Sequence, residues 1–155
     1  MILSMNSQDL LEGLNIVTRA LSSRPAKQIL EGVLISAEEN RVLMTCSDGS
    51  LTIEYTNAAS VQEEGQTVLP GRIFTEMIRK MPAGTVTITE QDHRSATIRC
   101  MKNRSSLAVM NPAEYPELNP MKSGSVVKIQ QNKLKEMISH VLFRSASTLP
   151  RLHPS

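Results

Sequence analysis

Tryptophan is absent from this 155-residue chain, and two Phe and two Tyr stand against nine Met. The core it builds must therefore be aliphatic, with the methionines filling gaps between branched side chains. Cysteine is nearly absent too. Cys46 and Cys100 stand alone, with no C-x-x-C and no neighbouring His. Two isolated thiols read as reduced and buried, as in a cytoplasmic protein. Met1 to Leu10 lacks the basic and long apolar segments of a secretory signal. No apolar run has the length needed to cross a bilayer, so no membrane partner is expected.

The motifs of common catalytic and cofactor chemistry are missing as well. There is no G-x-S-x-G, H-E-x-x-H, Walker A or G-x-G-x-x-G sequence. His93, His140 and His153 fall in a turn, on a helix and in the tail, without metal-ligand spacing. Asp48 sits in a Ser-Asp-Gly turn, and Glu63-Glu64 beside Gly65 reads as a solvated loop. No nucleophile, base and orienting group come together in the pattern. The expectation is a protein that is not an enzyme and carries no metal or cofactor.

What is present is a repeated phrase. Met5, Leu10, Gly13, Leu14 and Val17 return 64 residues later as Leu69, Phe74, Met77, Ile78 and Met81. They return again, 124 residues from the start, as Ile129, Leu134, Met137, Ile138 and Val141. Each copy has a short apolar run, a few mostly polar residues, then apolar positions at i, i+3, i+4 and i+7. That spacing places one apolar stripe on a helix. Only Gly13 breaks the match. A supersecondary unit recurring with the same internal offsets implies a fold built by repetition.

Between the copies the chain alternates as sheet does. A strand over residues 2–5 leads into a helix over 8–21, capped by Asn6 or Ser7 and broken at Ser22-Ser23-Arg24-Pro25. Strands follow over 29–36, 41–46 and 51–56, then a strand over 67–69 leading into a helix over 71–80. Three more strands are expected over 85–90, 96–100 and 105–110. Residues 111–125 hold three Pro and one Gly and read as a domain-ending linker. Val126 then restarts the unit. One strand and one helix cannot close a domain. The sequence thus divides into a complete α+β domain over 1–120, with two helices packed on antiparallel sheet, and a linker plus incomplete second repeat over 121–155.

The cations give the one functional hint from the residues themselves. The formal charge of +2 is only mildly basic. Arg72 and Arg79 are seven apart and share a helix face, with Lys80 beside them. Arg24 lies in the break after the first helix, and Lys133 and Lys135 on the third. Such positions suit sequence-blind phosphate contacts. With Glu12, Glu76 and Glu136 among them, an ordinary solvated face accounts for the same pattern.

Several phrases resemble one family. Arg24-Pro25 followed by Ile29-Leu30-Glu31-Gly32-Val33-Leu34-Ile35 resembles the R-P-x-x-P-I-L-x-x-x-L segment of the bacterial DNA sliding clamp, the beta subunit of DNA polymerase III, with Gln28 replacing the usual Pro. Thr45 to Leu51 is similar to the family's threonine, Asp and Leu region, interrupted by Gly49-Ser50. Leu69-Pro70-Gly71-Arg72-Ile73-Phe74 resembles its V-P-A-R-x-F phrase. Arg104-Ser105-Ser106-Leu107 and Pro112-Ala113-Glu114-Tyr115-Pro116-Glu117-Leu118 resemble the R-x-x-L…P-A-x-[FY]-P phrase closing its first domain. The resemblance runs to Phe143 and stops; Arg144 to Ser155 does not resemble the family.

The resemblance implies a DNA-clamp-like fold and a processivity factor of DNA replication. Two chains of three domains form a ring around double-stranded DNA, helices lining the hole. It implies that Arg24 contacts DNA and that Arg72, Arg79 and Lys80 lie on or beside a pore helix. Lys102, Arg104 and Leu107 would lie on the strand that meets a partner chain in the homodimer. The replicative polymerase and the clamp loader are implied partners, although the family's main peptide pocket lies in domains beyond this sequence. A β-rich homodimerisation or scaffold module without DNA binding is the competing reading. Salt-dependent DNA binding that disappears on changing Arg24 separates the two.

Overall fold

A computed structural model describes residues 1–117 and the backbone of Ser125–Gln130. The third helical stripe (Leu134 to Val141), Lys133, Lys135, His140, His153 and the tail lie outside the described residues. The chain opens with β1 (Ile2–Asn6) and α1 (Ser7–Val17), then a 3-10 turn over Thr18–Ala20. A second 3-10 turn, Gln28–Glu31, precedes β2 (Gly32–Glu38), β3 (Arg41–Ser47), β4 (Leu51–Ala58), β5 (Ser60–Glu63) and β6 (Gly65–Pro70). Next come α2 (Gly71–Lys80), β7 (Thr85–Glu90), β8 (Ser95–Cys100) and β9 (Asn103–Ala108). A 3-10 turn at Pro112–Glu114 and β10 (Ser125–Gln130) follow.

The strands form two five-stranded sheets, β5-β1-β7-β8-β9 and β10-β4-β3-β2-β6. Every described pairing is antiparallel except β10 with β4. A bridge between Val68 and Met110 links β6 to the chain just past β9, joining the sheets at one margin. Alternation decides the faces. Leu3 and Met5, Val86 and Ile88, and Ala96, Ile98 and Cys100 turn inward from the first sheet. Val33, Ile35 and Ala37, Val42, Met44 and Cys46, and Ile53 and Tyr55 do so from the second. Both sets join one core with Leu10, Leu14 and Val17 of α1 and Phe74 and Ile78 of α2. The first two copies of the repeated phrase thus supply the residues that seat the helices. This is the α+β, two-helix architecture expected, with the antiparallel strands divided between two sheets.

Gly13 breaks the repeat for a packing reason. A Cβ there would lie 2.2 Å from the Met44 methyl carbon and 2.6 Å from the Tyr55 ring. α1 therefore approaches β3 and β4 closely enough that only a hydrogen atom fits. Asn6 is the cap: its Oδ1 accepts from the Gln8 and Asp9 N–H groups at 2.8 and 3.4 Å. Ser7 instead ties the helix start to the segment after α2, its backbone N–H donating to the Gly84 carbonyl at 2.8 Å.

Several local expectations are corrected. Residues 29–31 form a 3-10 turn, and the strand begins at Gly32. A Cβ at Gly32 would meet Val68 at 2.2 Å and Met110 at 2.8 Å, so this is where the backbone can enter the sheet beside β6. The first α-helix ends at Val17, four residues short of expectation, in a 3-10 turn where Thr18 Oγ1 donates to the Leu14 carbonyl. Glu63 is not in a loop. It ends β5, and its carboxylate meets the Met1 ammonium at 3.1 Å. Asp48 does form the expected turn, accepting from the Ser50 and Leu51 N–H groups at 2.8 and 2.7 Å.

Candidate nucleic-acid interface

The helix pair is the element that can present cations together. The start of α1 is tied to Gly84, just past α2, and Leu21, just past α1, lies against Gly71 at the start of α2. The helices therefore run antiparallel, side by side, their inner faces on the core. α2 buries Gly71, Phe74, Thr75 and Ile78 and exposes Arg72, Ile73, Glu76, Arg79 and Lys80. Arg72 and Arg79 stand about 10 Å apart along the axis at 1.5 Å per residue. That is about three nucleotide steps at 3.4 Å per strand. Arg79 and Lys80 occupy the last turn, where cations are favoured by the helix dipole. Arg72 sits in a first turn that lacks any side-chain cap, where its charge adds to the positive end.

Arg24 is brought to this same end of the pair. Its N–H donates to Ser22 Oγ at 3.1 Å, which tightens the loop. Leu21, Ser22, Ser23 and Pro25 form one wall of a half-open cleft of ≈ 250 Å³, and Pro70 to Ile73 the other, with the acidic Glu31 also lining it. The loop is held at both ends. Leu21 packs at Gly71, and the 3-10 turn after it drops Ile29 and Leu30 into a small buried cluster with Val68 and Tyr115. Tyr115 of the Pro-Ala-Glu-Tyr-Pro phrase thus shares a cluster with the Ile-Leu pair of the Arg-Pro phrase. Two sequence signatures 85 residues apart act as one anchor for the Arg24 loop.

The four expected cations are not equivalent. Arg24, Arg72 and Lys80 are exposed. Arg79 is ion-paired with Glu76 and donates through Nη2 to Asn15 Oδ1 of α1 at 2.9 Å. Asn15 and Arg79 are equivalent positions of the repeat, 64 residues apart, but equivalence alone does not signal that the two side chains meet across the helix pair. The acids of α1, Asp9 and Glu12, lie in its first half, away from the Arg24 end.

The second group of expected residues divides. Arg104 and Leu107 lie on β9, the outer strand of the first sheet. Lys102 does not. It follows Met101 in the two-residue β8–β9 turn, where Met101 adopts φ 54. Positive φ is what such tight hairpins require. Met101 is 70% exposed beside it. Among the described residues no group of three or more His, Cys, Asp or Glu has the placement to hold a metal ion. None of the described helices is long and apolar enough to cross a membrane.

The family model described as DNA polymerase III beta subunit, N-terminal domain, matches residues 1–119. The chain belongs to this family. The beta sliding clamp of Halalkalibacterium halodurans is 31% identical over 140 residues, covering 85% of this chain and 37% of that protein. That of Staphylococcus epidermidis is 29% identical over 146 residues, covering 89% of this chain and 39% of that protein. The chain thus spans well under half the length of these relatives. Among solved structures, the DNA polymerase sliding clamp from Bacillus subtilis superposes with a TM-score of 0.74 at 31% identity, over 77% of this chain and 33% of that one. Caulobacter crescentus pol III beta gives 0.73 at 26% identity, with the same coverage. The beta-subunit fold inferred from the sequence phrases is therefore the fold of this chain.

Proposed function

We propose that this chain serves as a clamp unit in DNA replication: a non-enzymatic processivity element whose helix pair faces duplex DNA. The observation that carries the reading is the placement of the loop bearing Arg24, through its neighbours Ser23 and Pro25, beside Arg72 at one end of that pair, with Lys80 and Arg79 at the other end of α2. The spacing suits phosphates along one groove wall. Among the described residues no base-reading constellation accompanies it, which fits contact that permits sliding. β9, with Arg104 and Leu107, is the edge that would meet another clamp unit, with Lys102 at its turn; an unpaired strand edge accepts a further strand. The polymerase and clamp loader would be the partners of such a ring in the cytoplasm. Residues 1–120 would be the unit itself, and 121–155 the linker and start of the next.

The test is duplex binding at low salt. Arg24→Ala, and Arg72→Ala with Arg79→Ala, are expected to weaken it for any sequence. The slope of log affinity against log salt should flatten by roughly 0.9 for each phosphate that is no longer neutralised. Equal affinity for wild type and both variants would overturn the reading. It would leave the β-rich self-association module, which β9 as an outer strand also supports. Leu107→Asp would then abolish dimers in a protein that never bound DNA.

A further inference from the structure

Arg19 is a cation that neither the repeat nor the Arg-Pro phrase singles out. It lies in the 3-10 turn Thr18–Ala20 that prolongs α1, and its side chain is exposed. Among the described residues it enters no ion pair. The turn fixes its place. Thr18 Oγ1 donates to the Leu14 carbonyl at 2.6 Å, and the Leu21 N–H donates to the Thr18 carbonyl at 3.0 Å, so the chain stays wound past the end of α1. Val17 and Ala20, on either side, are buried. Arg19 therefore projects to solvent, near the face that carries Asn15 four residues earlier. Two contacts set its level on the antiparallel pair. Asn15 meets Arg79 at 2.9 Å, and Leu21 lies 2.7 Å from where a Cβ of Gly71 would stand. Between those two points, Arg19 comes close to level with Phe74, about midway between Arg72 and Arg79.

We propose that Arg19 is a further phosphate-binding residue of the helix pair, filling the gap between Arg72 and Arg79 with a cation from the neighbouring helix. The proposal rests on the duplex-facing reading above and adds a contact to it. Each strand of a duplex carries a phosphate about every 3.4 Å. The span from Arg72 to Arg79 therefore passes more phosphates than these two residues can neutralise. At the intervening level α2 offers no charge, since Ile73, Phe74 and Thr75 stand there. The nearby acids do not cancel Arg19. Glu76 is taken by Arg79, and Glu31 lines the cleft beside Arg72 without an ion pair among the described residues. Glu12 is seven residues back along α1, about 10 Å at 1.5 Å per residue, and Asp9 is farther. Arg79 is restrained by Glu76 and Asn15, whereas the Arg19 guanidinium is free to meet a phosphate with its planar fork.

The experiment titrates a duplex with the full-length chain at several salt concentrations. Arg19→Gln is expected to weaken binding several-fold at low salt and to flatten the slope of log affinity against log salt by roughly 0.9. Arg19→Lys should keep the slope, since an ammonium also neutralises a phosphate. Arg94→Gln removes the same charge from an exposed position in the β7–β8 turn and should leave the slope unchanged. Melting midpoints accompany each titration, because a cation in a last turn also favours the helix dipole; they should stay close to wild type. A wild-type slope for Arg19→Gln, with Arg24→Ala still flattening it, would overturn the Arg19 contact and leave the duplex-facing reading standing. Slopes unmoved by either change would overturn that reading and the contact with it. Equal flattening by Arg19→Gln and Arg94→Gln would assign the effect to net charge and overturn the proposal.

Discussion

Arg79 reaches across the helix pair to Asn15, Nη2 to Oδ1 at 2.9 Å, while its other guanidinium nitrogen is held by Glu76. The arginine is thereby restrained and partly neutralised. Arg72, on the same helix, has neither restraint among the described hydrogen bonds and ion pairs. Arg72→Ala should therefore weaken duplex binding more than Arg79→Ala. Glu76→Gln should strengthen it, by freeing Arg79 and removing an anion from the face. Titrations at several salt concentrations check this. A larger loss from Arg79→Ala would show that Asn15 aims the guanidinium at phosphate rather than withholding it.

Gly13→Ala is expected to destabilise the domain. Overpacking costs about 1–3 kcal/mol, and the gain in helix propensity returns about 1 kcal/mol at most. The Met44 methyl is the end of a flexible chain and can move. The Tyr55 ring, fully buried on β4 beneath the helix, has less freedom. A net loss of about 1–2 kcal/mol should appear as a lower urea midpoint with an unchanged slope. Unchanged stability would mean that α1 shifts away from β4 at little cost.

Much of this was legible from the residues. α2 falls on Gly71–Lys80 as the apolar spacing predicts, because Leu69-Pro70 and Met81-Pro82 bound it chemically. β7 is likewise where alternation puts it. Illegible features depended on distant partners. β5 contains one apolar residue, Val61, and is a strand only because β1 lies alongside it. Ile29 and Leu30 have strand-like character, but Tyr115 and Val68 draw them into a separate cluster. Lys102 left the expected strand because the hairpin turn closes there. At the candidate interface, Arg24 and Arg72 could be named from sequence. The cleft that sets the Arg24 loop beside Arg72, and the capture of Arg79 by Asn15, could not.

Alkaline pH should unfold the domain by a traceable route. Burial pushes the Tyr55 hydroxyl up to about 12, with Glu12 and Asp9 adding to the effect. Burial also raises Cys46 and Tyr115. For each, the folded state holds the proton more tightly than the unfolded chain. Their stabilising effect is complete below the unfolded value, near 10 for the tyrosines. It is lost as pH rises toward the folded value, because the unfolded state then binds fewer protons. Urea melts should hold steady from pH 7 to 8, begin to fall near pH 9 where the unfolded cysteine ionises, and fall further from about pH 10 to 12 as the tyrosines follow. Tyr55→Phe should reduce that fall. It should cost little at pH 7, since the Tyr55 hydroxyl is buried without a hydrogen-bond partner and its removal relieves a desolvated group. A variant that kept the full alkaline decline would assign it to the other two groups.

A chain ended at residue 119 tests the domain boundary. The described elements up to Tyr115 form one connected core and its satellite cluster, and Tyr115 closes that cluster against Ile29, Leu30 and Val68. The shortened chain should melt cooperatively, with its midpoint lowered only by the loss of the β10–β4 pairing. The bare β4 margin, however, is an invitation to edge association. The shortened chain should aggregate or dimerise at concentrations where the full chain does not. Thr56→Glu should suppress this, because a second anion beside Glu54 adds like charge to the approaching edges and opposes pairing. Sedimentation and melting of the three chains together decide the matter. Loss of cooperative melting would place the boundary beyond residue 119. A cooperative but wholly monomeric short chain would show that β4 is protected by its twist, and that β10 is not needed to cover it.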